Sequence, residues 1–210
     1  MTKNMRVLIA GFGPFPGAPF NPSAALAQAL ARRRRPAMAG LACTAHVFAT
    51  AYAAVDRDLE KLFAAKPDVV LIFGLAARRR HVCIETRARN VVSVVFPDAR
   101  GYRPQTNVIA AKEPHSRRGN APFMRLLAAA RAGGVPARLS PDAGRYLCNY
   151  AYWRALQFVR DGCPIVQFVH IPSLRLLPRR RRLKRNAISL SQMVAAAEMV
   201  LVALVATRRA

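Results

Sequence analysis

The feature that most constrains this chain is a set of short, predominantly apolar runs spaced between helix-like segments. Arg6-Val-Leu-Ile-Ala10 and Val69-Val-Leu-Ile-Phe73 each end at a glycine, Gly11 and Gly74, and Ile165-Val-Gln-Phe-Val169 ends at His170-Ile-Pro172. Runs this short and this apolar predict strands buried on both faces, not strands with one wet side. Leu41–Phe48, Asn90–Phe96 and Ala137–Ser140 are read as further strands. Helices are predicted between them. The first has Asn21 as N-cap and Pro22 at the first helical position, where its missing N–H costs nothing, and runs to about Arg34 before Pro36. Others cover Ala53–Ala65, Phe123–Arg131 (stopped by Gly133 and Gly134), Cys148 to about Val159, and Ala187–Val205. Strands alternating with helices throughout predict an α/β fold, a mostly parallel sheet covered on both faces, with sites gathering at the carboxyl ends of strands. Pro97–Pro122, rich in Gly, Pro and polar residues, is predicted as a long loop of the kind that often carries function. At 210 residues a single domain over 1–210 is expected, large enough to bury a core without disulfides or a structural metal.

Hydrophobic residues make up 53% of the chain and charged residues 21%, which excludes a disordered polyelectrolyte. The 34 Lys and Arg against 10 Asp and Glu nevertheless give a formal net charge of +24. Only positions 3, 61, 66, 112 and 184 are lysine, so the excess is arginine. The arginines are scattered, and no aromatic residues interleave with the runs Arg32–Arg35 and Arg179–Arg185, as a base-stacking surface needs. A solvated surface is the favoured reading, and nucleic acid is expected to bind non-specifically if at all. Cys43, Cys83, Cys148 and Cys163 lack metal-finger spacing, so no metal site is expected. Gly11, Gly13, Pro14 and Pro16 break the N-terminal apolar run before a secretory core forms, and no signal peptide is read there. Met193–Ala206, with Glu198 inside it, is shorter than the roughly 20 residues that span a bilayer. A soluble, cytoplasmic protein with reduced thiols and no membrane partner is expected.

Gly11-Phe-Gly-Pro-Phe-Pro-Gly17 follows a strand but is not a dinucleotide loop, because its third glycine is one residue late and two prolines remove N–H donors. It offers instead Phe12 and Phe15 on a stiff backbone, able to wall an apolar pocket for a small ring or simply to join the core. Cys148 begins a predicted helix, where the positive end of the dipole favours a thiolate and unpaired N–H groups can hold an oxyanion. His170 ends an apolar strand, and Glu85 lies in the predicted loop after the third strand. Thiol, imidazole and carboxylate are the parts of a cysteine-hydrolase triad. A single Cys on a helix and a single His on a strand are also what a core contains, so the residues alone leave both readings open.

Several stretches, in order, carry a resemblance over nearly the whole chain: Val7 through Phe15, Asn21-Pro22-Ser23, Lys66-Pro-Asp68, Phe73 through Ala76, Ile84-Glu85 through Asn90, Phe96-Pro97-Asp98, Ala143-Gly144 with Tyr146-Leu147-Cys148-Asn-Tyr150, and Phe168-Val-His170-Ile-Pro172. Together they resemble pyroglutamyl peptidase type I, the pyrrolidone-carboxylate peptidases, a family of cysteine peptidases. The resemblance implies a three-layer α/β/α sandwich of the phosphorylase/hydrolase-like type, often a homotetramer. It implies Cys148 as nucleophile, His170 as base and Glu85 as acid. A pocket for the pyroglutamyl ring of peptide substrates would be lined by Phe12, Phe15, Phe96, Tyr146 and Leu147, with backbone groups near Leu75 holding the lactam and Thr50 a further candidate. No metal or organic cofactor is implied. The chain departs from many members at Thr86, directly after the acid, and at Val95, positions where arginine is common. Two rivals stand beside this reading: a catalytically weakened homologue acting as a basic nucleic-acid-binding protein, and another amidase with the same three residues.

Overall fold

The apolar runs form the centre of a six-stranded sheet. The computed structural model describes residues 4–15, 18–174 and 188–209. Arg179–Arg185, Ala187 at the expected start of the last helix, and Pro16 and Gly17 lie outside them. Among the described residues the elements in chain order are β1 (Met5–Phe12), α1 (Pro22–Ala31), a short 3-10 turn (Pro36–Met38), β2 (Leu41–Phe48), α2 (Tyr52–Ala64), β3 (Val69–Leu75), β4 (Val82–Glu85), β5 (Arg87–Arg89), β6 (Ser116–Arg118), α3 (Phe123–Ala132), β7 (Ala137–Ser140), α4 (Leu147–Leu156), β8 (Ile165–Ile171) and α5 (Leu190–Arg209). The sheet order is β2-β1-β3-β8-β4-β7, and β5 with β6 makes a separate antiparallel pair. The strands β2, β1, β3 and β8 run parallel. Strand β4 lies antiparallel to β8, and β7 runs parallel to β4. The result is the expected mixed, mostly parallel sheet.

Both faces are covered, which is why the central strands read as near-continuous apolar runs and not as an apolar/polar alternation. One face carries α1, α3 and α5, with Leu26, Leu126 and Leu201 packed on Val7, Leu71 and Val169. The other carries α2 and α4, with Leu59 and Trp153 among the residues packed with Leu8, Val70 and Phe168. Helix α5 is long and apolar enough to cross a membrane by length and composition. It lies instead in the core of this fold, where Met193, Ala197, Val200, Leu201 and Leu204 form a buried stripe at helical spacing. Close approach to α3 depends on Gly133, where a Cβ would stand 2.8 Å from that of Ala196.

Four expectations are corrected. Gly11 and Gly74 do not end β1 and β3 but lie within them. Glu85 is not in a loop; it is the last residue of β4, fully buried. No strand forms over Asn90–Phe96, because its backbone groups are taken singly by scattered loop and helix partners: the amides of Asn90, Val92 and Ser93 donate to the carbonyls of His115, Asn107 and Arg145, and the Val91 carbonyl accepts from Asn149. Asn149 of α4 accepts from the Arg89 amide and donates to the Arg89 and Val91 carbonyls. Asn90 accepts from the amides of Ile109 and Ala110, closing the excursion that follows β5 into a loop. Buried Asp98 in that loop accepts from the amides of Tyr52, Arg100 and Tyr102, and so caps α2, which has no N-cap side chain of its own. The long loop predicted over Pro97–Pro122 does form, interrupted by β6.

Candidate active site

In-register pairing sets the site. Gly74 of β3 lies opposite His170 of β8, and Cys83 of antiparallel β4 lies opposite His170 on its other side. Helix α4 begins above this point, with Tyr146 in extended conformation at the N-cap position and Cys148 as the second helical residue. The first intrahelical bond runs from the Tyr150 amide to the Tyr146 carbonyl, so the amides of Leu147, Cys148 and Asn149 precede the helical ladder. The Cys148 sulfur lies over Gly74, whose hydrogen leaves room for it: a Cβ there would stand 2.9 Å from Sγ. Gly74 is therefore a packing requirement of the site, not a strand stop.

The His170 Nδ1 is 2.8 Å from Glu85 Oε1, and since a carboxylate only accepts, Nδ1 carries a proton, which leaves Nε2 as the ring nitrogen available to Cys148. Burial alone would lower the imidazole's proton affinity, but Cys148 and the hydrogen-bonded Glu85 outweigh it, and the pKa is pushed up to about 9. A charged imidazolium at neutral pH is the form that supports a thiolate partner. Glu85 Oε1 also accepts from Arg79 Nη1 at 2.9 Å.

A cavity of about 240 Å³ opens at this sheet edge. Seven of the expected site residues line it: Phe12, Phe15, Leu75, Tyr146, Leu147, Cys148 and His170, together with Thr50. Glu85 stands behind His170, out of the cavity. Phe96 is not brought there; it is 64% exposed on the excursion, and what that segment delivers is the Pro97 carbonyl, which accepts the Tyr146 hydroxyl at 2.8 Å. The two phenylalanines do not face each other as a matched pair. Phe12 is almost fully buried against Phe48 and Phe168, while Phe15 faces Tyr146 with ring centroids 6.5 Å apart. A larger cavity of about 580 Å³ beyond Tyr52 contains neither Cys148 nor His170.

The lining also includes Asn21, Ala143, Gly144 and Arg145, and Arg79 reaches the carboxylate from outside it. Asn21 had a visible signal, its N-cap role: it accepts from the Ser23 amide, and its Nδ2 donates to the Gly13 carbonyl, tying the Phe12–Phe15 loop to α1. Arg79 had none, being the middle of three consecutive arginines.

A family model described as pyroglutamyl peptidase matches residues 5–209. The pyrrolidone-carboxylate peptidase of Thermococcus litoralis is 32% identical over 170 residues, 80% of this chain and 76% of that protein. That of Vibrio vulnificus is 28% identical over 205 residues, 97% of this chain and 94% of the relative. Among solved structures, pyrrolidone carboxyl peptidase from Thermus thermophilus superposes with a TM-score of 0.82 at 30% identity, covering 94% of this chain and 99% of the other. The T. litoralis enzyme gives a TM-score of 0.83 at 26% identity, covering 98% and 96%. With its thiol, imidazole and carboxylate at one sheet edge and these likenesses along its length, the chain belongs to the pyroglutamyl peptidase family.

Proposed function

We propose that this protein hydrolyses the N-terminal pyroglutamyl residue from peptides by cysteine catalysis, with Cys148 as nucleophile, His170 as acid and base, and Glu85 orienting the imidazole. The observation that carries the reading is the Glu85–His170 hydrogen bond placed behind a small cavity into which Cys148 opens. At about 240 Å³ the cavity is below the usual range of ligand pockets, about 300–1,000 Å³, and suits one small ring. Among the described residues no Asp or Glu lines it, so an α-ammonium finds no counter-ion there, whereas an uncharged lactam loses nothing.

In the reaction, the Cys148 thiolate adds to the pyroglutamyl carbonyl carbon and the carbonyl electrons move to oxygen. The free amides at the start of α4 stabilise that oxyanion, where each such donor is worth about 3–4 kcal/mol. His170 then gives its Nε2 proton to the departing amine as the C–N bond breaks, leaving a thioester. Neutral His170 next takes a proton from water, the hydroxide displaces sulfur from the acyl carbon, and pyroglutamate leaves. Glu85 accepts from Nδ1 throughout and holds the ring in one orientation.

The test is turnover of a pyroglutamyl-linked fluorogenic amide. Loss of activity in a folded Cys148→Ala variant supports the assignment, and turnover that survives it overturns the nucleophile. A glutamine amide in the same panel separates this activity from a general amidase. The four free thiols support placement in a reducing compartment such as the cytoplasm, which fractionation tests. The family likeness supports a homo-oligomer, a tetramer by resemblance, for which sedimentation equilibrium is the check.

A further inference from the structure

Glu85 carries two cationic neighbours on one oxygen. Oε1 accepts from His170 Nδ1 at 2.8 Å and from Arg79 Nη1 at 2.9 Å, while Oε2 is buried with no hydrogen-bond partner among the described residues. With one oxygen unanchored, the direction of the carboxylate is set by what holds Oε1. The imidazole cannot do this alone, because it is the group being oriented.

Arg79 is itself held from the opposite side. Its Nη2 donates to the Asp142 carbonyl at 3.0 Å, and Nη1 also approaches the Ser140 hydroxyl at 3.4 Å. The guanidinium is a rigid planar fork, so fixing one nitrogen fixes the other. Its side chain is about one-third exposed, against full burial for Glu85, so it brings charge compensation from the rim to a carboxylate that water does not reach. An unpaired buried carboxylate is strongly unfavourable, and a second cation reduces that penalty. A bystander surface arginine would not share an oxygen with the catalytic imidazole.

We infer that Arg79 is a positioning residue of the reaction: anchored by its donation to the Asp142 carbonyl, it donates to and fixes the Glu85 carboxylate so that Glu85 can orient His170. The inference rests on the triad reading given above. It is distinct from a simple brace for the 141–145 loop that walls the cavity. That loop has other anchors, Arg87 on the Pro141 carbonyl, Arg89 on the Asp142 carboxylate and the Ser93 amide on the Arg145 carbonyl. Removing Arg79 therefore leaves the pocket wall in place and acts on the rate.

The experiment is a double-substitution cycle on the fluorogenic amide. In Arg79→Met, kcat falls about tenfold or more, the scale on which removing a partner that orients a metal-ligating histidine acts, with KM unchanged. Because Arg79 acts through Glu85, adding Arg79→Met to Glu85→Gln lowers kcat no further. Arg79→Lys, which keeps a cation within reach of Oε1, recovers most of the rate. A raised KM with unchanged kcat, additive losses in the cycle, or a Lys variant as impaired as Met would each overturn the inference. If Arg79→Met does not fold, Arg79→Gln carries the same cycle. Alkylation of Cys148 by iodoacetamide, followed on its own peptide by mass spectrometry, reads the same coupling without any substrate. Wild type that alkylates readily but does not cleave the amide refutes the proposed substrate alone, and an alkylation rate indifferent to Arg79 refutes the positioning role alone.

Discussion

Replacing Gly74 by alanine should disable the enzyme far more than it destabilises the fold. The added methyl would stand 2.9 Å from Cys148 Sγ and 2.7 and 2.9 Å from two atoms of the Phe168 ring. Comfortable carbon contacts lie at about 3.5–4.0 Å, so roughly 1 Å must be found. Phe168 cannot supply it: the ring is fully buried, with Phe12, Tyr152 and His170 centroids 6.3, 5.7 and 4.9 Å away. Cys148, half-buried at the cavity, is the neighbour that can move, and its movement carries the sulfur off the attacking position. Overpacking of this kind costs about 1–3 kcal/mol, which for a chain of this size lowers Tm by about 2–12 °C. A displacement of about 1 Å at a reacting atom costs on the order of 100-fold in rate. We therefore expect a kcat/KM loss of about 100-fold in a protein that still melts cooperatively. Gly134→Ala is the control. Gly134 has φ +80° with nothing near its Cβ position, so alanine there is strained by about 1–2 kcal/mol without touching the site. A Gly74→Ala variant as active as wild type, or a Gly134→Ala variant equally inactive, would refute the reasoning.

Other expectations follow from the same geometry. Glu85→Gln should lower kcat without unfolding the chain, and a full-rate Gln variant would remove Glu85 from the triad. Because the His170 pKa is raised from 6.5 to about 9, its charge stabilises the fold fully below pH 6.5 and ceases to do so as pH rises through about 9. Wild-type Tm should fall across that window more than that of His170→Gln, and kcat/KM should decline above about pH 9. Phe15→Ala should raise KM, whereas Phe96→Ala should leave it unchanged; titration of initial rates separates the two. Asn149→Ala removes three hydrogen bonds to the Arg89 and Val91 backbone, and leaving such groups unmet costs about 1–3 kcal/mol each at full burial, a loss that denaturant titration would register.

What was legible in the sequence was whatever depended on local pattern. β2 and β7 match their predicted spans residue for residue, and Asn21 caps α1 as its position before Pro22 implied. What was not legible depended on partners distant in the chain. β4 is only four residues, Val82–Glu85, and is a strand because β8 and β7 flank it, which no local signal records. Asn90–Phe96 has the composition of a strand but loses that fate to partners far along the chain, the carbonyls of His115, Asn107 and Arg145 and the side chain of Asn149 on α4. Phe96 carried a motif match without the geometry to use it. Arg79 had geometry without a motif.

The reversal of β4 has an electrostatic result. In a parallel strand, a terminal carboxylate at this edge would rise to the rim beside the cavity mouth. Because β4 runs against β8 and pairs Cys83 with His170, the chain goes on from Cys83 to Glu85 away from that rim, toward the sheet interior. The negative charge thus reaches the imidazole from behind, on the side no substrate visits. One strand's direction decides that the carboxylate sits behind the imidazole and not beside the incoming peptide. A one-residue slip in that strand would turn Glu85 to the opposite face and leave the base with no acid behind it.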